Sequence, residues 1–446
     1  MRSTAGRAAR FVGSAGLALA LAGCWLVPGA TPERTGHNAF ETTLTPETVG
    51  DLAPLWTHAT GGLAVLDPVV GTGGVHAMVE GCGLVTLAAT GEVRWESGTT
   101  FPSFCPTVDQ RWIWTPAFAA DQDVVFAGVA WALDSTPSDR FGAFTRALHV
   151  RTGAPTGPEL SGIVVGQRGE DLVLAQPAFV GFTGPPVQIQ DWGPPISVTL
   201  GPADAPVRRT IRLAVTPPAG ALESVTPTLG SAALFHAGTG VMTTVPGDPT
   251  PGRAVRSWAL DGTPTQCPVT TSGTTVQVDC PTWVAPLDAA PVGAPVLDAA
   301  TATVYVATAG GTLHALDAAT GAVRWTGALG AAAGAAPAID GSSVFVPTVD
   351  GRLVALAATG CGTATCDPVW TAATGHAIGV QPAVAGSVVY TGSADGSVHA
   401  FDARGCGAAT CPDLWSADAG GEVTGAPAVT GGRLYVGTRG GLVAYG

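Results

Sequence analysis

Short apolar runs recur along the second half of the chain, each bounded by glycine-rich turns. Four of them are "TVYVAT" (Thr303 to Thr308), "SVFVPT" (Ser343 to Thr348), "SVVYTG" (Ser387 to Gly392) and "RLYVGT" (Arg433 to Thr438). Their branched and aromatic residues suit a pleated surface. A two-residue turn follows each run: Gly310-Gly311, Asp350-Gly351, Asp395-Gly396 or Gly440-Gly441. Such pairs reach the positive φ that tight hairpins need. A second strand comes next, as in "TLHALD" (Thr312 to Asp317) or "RLVALA" (Arg352 to Ala357). A loop then leads to a short strand carrying a tryptophan. The pattern predicts a unit of four short antiparallel strands.

The unit repeats. A tag of the form x-Pro-small-apolar precedes it at Pro68, Pro116, Pro177, Pro227, Pro295, Pro337, Pro382 and Pro427. The last four tags lie 42, 45 and 45 residues apart. A period near 45 with four strands per unit is the signature of a β-propeller blade. The last tag is followed by only three strand-like segments. The missing strand is found near the other end, where "PLWTHATG" (Pro54 to Gly61) matches "PVWTAATG" (Pro368 to Gly375) at six of eight positions. The expectation is an all-β, eight-bladed propeller whose last blade is completed by the N-terminal strand, which removes exposed sheet edges. Seven blades is the alternative, because the third unit, from Pro177 to Thr216, is degenerate and proline-rich. Spacings of 61, 50 and 68 residues after Pro116, Pro177 and Pro227 place inserted loops in blades two to four.

The copies "VYVATAGGTLHALDAATGAVRWT" (Val304 to Thr326) and "LVTLAATGEVRWE" (Leu84 to Glu96) resemble the repeat of the PQQ-type β-propellers. In that family the Thr-Gly turn and the tryptophan dock neighbouring blades. The resemblance carries this role to Thr320, Gly321 and Trp325 and to Thr90, Gly91 and Trp95. Trp56, Trp370 and Trp415 occupy the same place in their units. The resemblance covers about 390 residues and specifies fold better than function. One branch of the family is the quinoprotein dehydrogenases, which bind PQQ and calcium on the propeller axis. The other is non-catalytic and includes the outer-membrane assembly lipoprotein of Gram-negative bacteria. The enzymes share an adjacent Cys-Cys pair over the quinone, which this sequence lacks. It also lacks a Cys-x-x-Cys-His haem motif and an acidic calcium-loop pattern. The expectation is therefore no cofactor and no enzymatic activity, with a PQQ-dependent dehydrogenase as runner-up.

The N-terminus bears on location. Arg2, Arg7 and Arg10 precede an apolar run from Phe11 to Ala22, too short to span a bilayer as a helix. It ends in Leu21-Ala22-Gly23-Cys24, which resembles the lipobox of a bacterial lipoprotein signal. That implies a signal peptide at 1–23, lipidation of Cys24, a tether over 24–50 and a propeller over 51–446. The product is expected to be extracytoplasmic and anchored to the cell membrane by lipid alone. The 446 residues contain no lysine, 20 arginines and 33 acids, for a formal net charge of −13. This composition reads as an actinobacterial, GC-rich genome. The acidic balance argues against nucleic acid as a partner, since phosphate contacts need cations.

Eight cysteines remain after Cys24, an even number that suits disulfides in an oxidising compartment. "GCGTATCDPVW" (Gly360 to Trp370) and "GCGAATCPDLW" (Gly405 to Trp415) each hold a pair around four residues. A zinc site would need all four thiolates to converge from separate blades, so Cys361–Cys366 and Cys406–Cys411 are read as disulfides. By elimination Cys267 pairs with Cys280 and Cys82 with Cys105.

No nucleophile elbow, zinc-protease motif or phosphate loop is present. His314 and His399 occupy a position held by Val354 in another unit, which favours packing over catalysis. The aromatics that depart from the repeat, Trp112, Trp114, Trp131 and Trp192, lie in or near the longer units. Insertions often carry a scaffold's binding surface. These residues are read as a rim for an envelope protein or peptide, or else as a simple cap. The chain is expected to be a monomer. The functional expectation is a non-enzymatic, protein-binding propeller, with a glycan- or ligand-binding propeller as a further alternative.

Overall fold

The computed structural model describes residues 25–97 apart from 72, 81 and 82. It also describes the strands and some connecting residues between 110 and 259, and residues 265–446 apart from 272 and 273. The expected signal peptide and Cys24 lie outside the described residues, as do Cys82, Cys105 and Trp192. Among the described residues the chain is all-β, with one three-residue 3-10 turn at Val49–Asp51. Its strands form eight sheets of three to five strands and one separate two-stranded hairpin.

Each regular sheet follows chain order. The fifth has Val296–Asp298, Thr303–Ala307, Thr312–Asp317 and Val323–Ala328; the sixth has Ala338–Ile339, Ser343–Pro347, Arg352–Ala357 and Trp370–Ala373. The seventh has Ala383–Ala385, Val388–Gly392, Ser397–Asp402 and Trp415–Asp418. The first has Val69–Gly71, Gly74–Val79, Gly83–Leu87 and Val93–Glu96. The eighth joins Ala428–Thr430 and Arg433–Tyr445 to Pro54–Ala64, with Thr57 opposite Val443 and His58 opposite Leu442. First strands of sheets five, six, seven, eight and one lie side by side in that order, and Phe118–Ala119 of the next sheet follows beside Val69–Gly71.

Packing explains the apolar runs. The middle strands Thr303–Ala307 and Val388–Gly392 are buried on both faces, because each sheet is sandwiched between two others. Val296, Tyr305, Leu313 and Trp325 of sheet five meet Ile339, Val344 and Val354 of sheet six in one cluster. A larger cluster joins sheets seven, eight and one through Tyr390, Tyr435, Tyr445 and Val75. Outer strands bury one side only, so Val323–Ala328 and Trp415–Asp418 alternate.

Two expectations change. The third sheet begins at Ile163–Arg168, continues through Asp171–Gln176 and ends with Ile196–Gly201 and Arg209–Ala214. The tag at Pro177 therefore follows its second strand instead of opening its first. Proline lacks the N–H of a central strand, so it marks the end of one strand as readily as the approach to another. The second change concerns residues 25–50, expected to be a tether. They are packed against the sheets: Trp25, Val27, Leu44 and Val49 are all buried.

Candidate functional site

Tryptophan corners join the sheets. In each regular sheet the loop between third and fourth strands carries a glycine under the indole of the preceding sheet. Gly91, Gly321, Gly360 and Gly405 all have positive φ, between 72° and 89°. A Cβ on Gly321 would sit 2.5 Å from the Trp283 ring, and one on Gly405 would sit 2.6 Å from Trp370. Only glycine satisfies both the backbone and the ring. The indole N–H then donates to the same loop: Trp56 to Ala89 O at 3.0 Å, Trp283 to Ala318 O at 3.0 Å and Trp95 to Val150 O at 2.9 Å. Trp415 donates to Leu52 O at 3.0 Å, just before the strand Pro54–Ala64. Asp317 holds its corner closed. Its carboxylate bonds Arg324 and accepts the Thr320 hydroxyl and N–H, and these contacts hold it down at about 2.

Three corners are lengthened and carry paired cysteines. Cys361–Cys366 and Cys406–Cys411 sit at disulfide distance, with Cα atoms 5.6 Å apart; Cys267–Cys280 has them 5.1 Å apart. The lengthened loops reach back onto the sheet before them. Thr365–Cys366 pairs parallel with Val323–Ala328, and Thr326 N–H donates to Ala364 O at 2.9 Å. Thr371 N–H donates to Ala409 O at 2.9 Å, and Cys411 N–H returns to Thr371 O at 2.8 Å. The third corner is the hairpin Gln266–Thr271 with Thr274–Asp279, which lies beside Arg209–Ala214 of sheet three. Each stapled corner thus covers the outer edge of its neighbour, the part of a sheet most open to unwanted pairing. Closing so short a loop restricts the unfolded chain modestly, by about 2 kcal/mol. Replacing Cys406 and Cys411 together by serine is expected to lower the unfolding free energy by about that amount in a denaturant titration.

The N-terminal residues cover the other edge. Trp25 exchanges both backbone hydrogen bonds with Val70, at 2.8 and 2.7 Å. Leu297 N–H donates to Glu33 O, Ile339 N–H to Thr35 O and Val384 N–H to Gly36 O. His37–Asn38 adds to Ala383–Ala385 as a parallel strand, and Asn38 Nδ2 donates to Val429 O at 2.9 Å. Glu41 accepts the Gly432 N–H at 2.9 Å. One N-terminal segment therefore hydrogen-bonds the first strands of sheets one, five, six, seven and eight. Gly36 fits because a Cβ there would lie 2.7 Å from Pro382 O. Arg34 is buried beside Asp67. Burial brings the guanidinium down to about 10, while the Asp67 charge opposes that shift. Burial pushes Asp67 up, opposed by the Ala426 N–H and by Arg34.

A family model described as outer membrane protein assembly factor BamB matches residues 271–363 and again 362–445. Residues 271–445 thus carry the PQQ-type β-propeller repeat. Solved structures share the fold at low identity. BamB from Moraxella catarrhalis is 15% identical with a TM-score of 0.52, over 88% of this chain and 97% of that one. The quinohemoprotein alcohol dehydrogenase from Comamonas testosteroni is 12% identical with a TM-score of 0.56, over 97% and 83%. The computationally designed Ika8 protein is 13% identical with a TM-score of 0.54, over 88% and 98%. No curated protein sequence matches the chain.

Three histidines, His314, His399 and His76, are held within the sheets. His314 is buried, with Nε2 2.8 Å from Asp288 Oδ1. His399 stacks on Phe401 at 6.0 Å and lies 3.4 Å from Asp413. His76 is fully buried and bonds Thr86 Oγ1 at 2.9 Å. Burial, with a smaller contribution from Arg94, brings it down to about 3. The folded state thus refuses a proton that the unfolded state accepts below pH 6.5. The unfolded chain binds more protons in that window, so stability falls as pH drops from 6.5 towards 3, by at most about 1.4 kcal/mol per unit. Urea titrations of wild type and His76→Gln across this range should show the variant with the shallower slope.

Three of the four aromatics expected at the partner surface fall in described strands. Gln110–Trp114 pairs with Val124–Leu133, which sets Trp112 opposite Trp131 and Trp114 opposite Val129 in backbone register. The covering role of the N-terminal segment and of the stapled corners went unread in the sequence. The shared "AT" before Cys366 and Cys411, followed downstream by Trp-Thr and Trp-Ser, is the signal that marks the corners.

Proposed function

We propose that the chain is an exported, lipid-anchored, eight-bladed propeller that serves as a non-enzymatic protein-binding scaffold at the cell envelope. The ring reading is supported by the pairing of Pro54–Ala64 with Arg433–Tyr445 and by the order of first strands around the sheets. The observation that carries the non-catalytic reading is the N-terminal segment on the inner strand edges. A quinone with calcium on the axis is what kinship with the dehydrogenases would imply. The residues present do not fit it. The inward edges of five first strands are bonded to residues 25–41, and Arg34 is buried beside Asp67 among them. The family description names an assembly factor of the outer membrane, which supports a protein partner and an envelope location.

The experiment is chemical crosslinking of the lipidated protein in its own membranes, followed by identification of the crosslinked species. A discrete protein partner is expected, and its capture should fall when Trp112 and Trp192 are replaced by alanine in protein that still folds. Capture unchanged by those substitutions would remove the rim from the account. No discrete partner in the presence of efficient crosslinking would remove the scaffold reading.

A further inference from the structure

The outer edges of the sheets are not treated alike. Sheets three, five and six have a stapled corner lying against their last strand. In sheets five and six the contact has one chemistry. The residue after the docking tryptophan, Thr326 or Thr371, turns its backbone N–H outward to a carbonyl of an Ala-Thr-Cys segment. The indoles beneath, Trp325 and Trp370, are then almost fully buried, at 5% and 3% exposure.

Sheets seven and eight carry a matching receiving dipeptide, tryptophan followed by a hydroxyl residue, at Trp415-Ser416 and Trp56-Thr57. Their registers are equivalent: Ser416 lies opposite His399 and Thr57 opposite Val443, as Thr371 lies opposite Val354. Their outward N–H and C=O groups therefore have the same geometry. Among the described residues no strand pairs on the outer side of either edge. Thr57 and Ser416 are exposed, and Trp56 and Trp415 stay only half-buried. On sheet eight the usual guards are thin as well, while the outer strand of sheet seven carries one, Asp418. Pro54–Ala64 holds no Lys, Arg, Asp or Glu, and its one proline is at its start. The outer strand of sheet one carries Arg94 and Glu96, and Trp283–Pro286, the outer strand of the sheet that also holds Ala254–Ala259, ends in Pro286.

We propose that Trp56-Thr57 and Trp415-Ser416, on neighbouring sheets, are strand-addition sites for an extended segment of a partner protein. The occupant is a short run of small β-forming residues, of the Ala-Thr type, that adds parallel to the edge as the chain's own corners do at Thr326 and Thr371. Main-chain hydrogen bonds hold such a segment, and the half-exposed indoles give it a place to anchor. This inference rests on the scaffold reading above for its biological partner, though not for its chemistry.

The test uses a synthetic disulfide-closed peptide with the sequence from Gly360 to Asp367, fluorescently labelled and titrated with the full chain. Saturable binding is expected. Thr57→Pro together with Ser416→Pro removes the outward N–H donors, besides fixing φ at these two positions, and should weaken binding about tenfold or more. Thr57→Ala with Ser416→Ala keeps the backbone and should bind as wild type does. Circular dichroism on each variant verifies that the sheets are retained. No saturation, or binding unchanged in the proline variant, overturns the proposal. So does concentration-dependent self-association that the proline variant abolishes, because the occupant would then be a second copy of this chain. Peptide binding without any crosslinked partner in membranes would remove the scaffold reading and leave the edge site standing.

Discussion

Gly360→Ala should lower the unfolding free energy by about 2–4 kcal/mol, whereas Gly362→Ala, two residues along the same loop, should cost about 1 kcal/mol. The pair separates two effects that usually travel together. Both glycines have left-handed backbone, at φ 76° and 81°. A Cβ on Gly362 meets nothing within 4 Å, so the substitution carries the backbone strain alone. A Cβ on Gly360 meets Trp325 Cδ1 at 2.8 Å, and the indole must move out of a packed boundary between sheets five and six. Equilibrium denaturation of the two variants measures the difference. Equal losses would mean that the tryptophan corner contributes shape without energy, and the docking role of the corners would have to be abandoned.

Trp25→Ala should be the most damaging single change in the N-terminal segment, at about 3–5 kcal/mol. Trp25 is 1% exposed and belongs to the cluster that joins sheets seven, eight and one. Truncation leaves a cavity there and loosens the residue whose backbone exchanges two hydrogen bonds with Val70. Phe40→Ala, on the same segment, is the control. Phe40 is 67% exposed and its loss should fall within about 0.5 kcal/mol. Hydrogen exchange adds a second readout, since the amides of Leu297, Ile339 and Val384 donate to residues 33–36. Those amides should exchange faster in Trp25→Ala than in Phe40→Ala. If the two variants behave alike, the segment is a passive tail and the account of the inner edges fails.

The regular sheets were legible in the sequence because their packing rules are local. A corner glycine under an indole admits no substitute, so the same letters return in every regular unit. The apolar runs return because both faces of the middle strands are buried. The N-terminal segment escaped because it is held differently. Residues 31–41, "TPERTGHNAFE", have little apolar content and read as a tether. Their hold is largely through main-chain bonds to strand edges, and main-chain bonds leave no residue signature. The third sheet was misplaced for a related reason. Its first hairpin, Ile163–Arg168 with Asp171–Gln176, has a bulge between Val164 and Gly166, which disturbs the alternation a strand is recognised by. The paired cysteines of the lengthened corners lie at disulfide distance, as the sequence suggested, but the corners' reach onto the preceding sheet is a parallel pairing of two residues. So short a contact has no period to detect.

The central claim is that this propeller binds proteins without catalysing a reaction. It is tested most directly by titrating the purified full chain with PQQ and calcium. Quinone absorbance and alcohol-dependent dye reduction are followed together. The account predicts no saturable binding and no turnover, because the inner strand edges are held by the chain's own residues 25–41. Saturable quinone binding accompanied by dye reduction would contradict it.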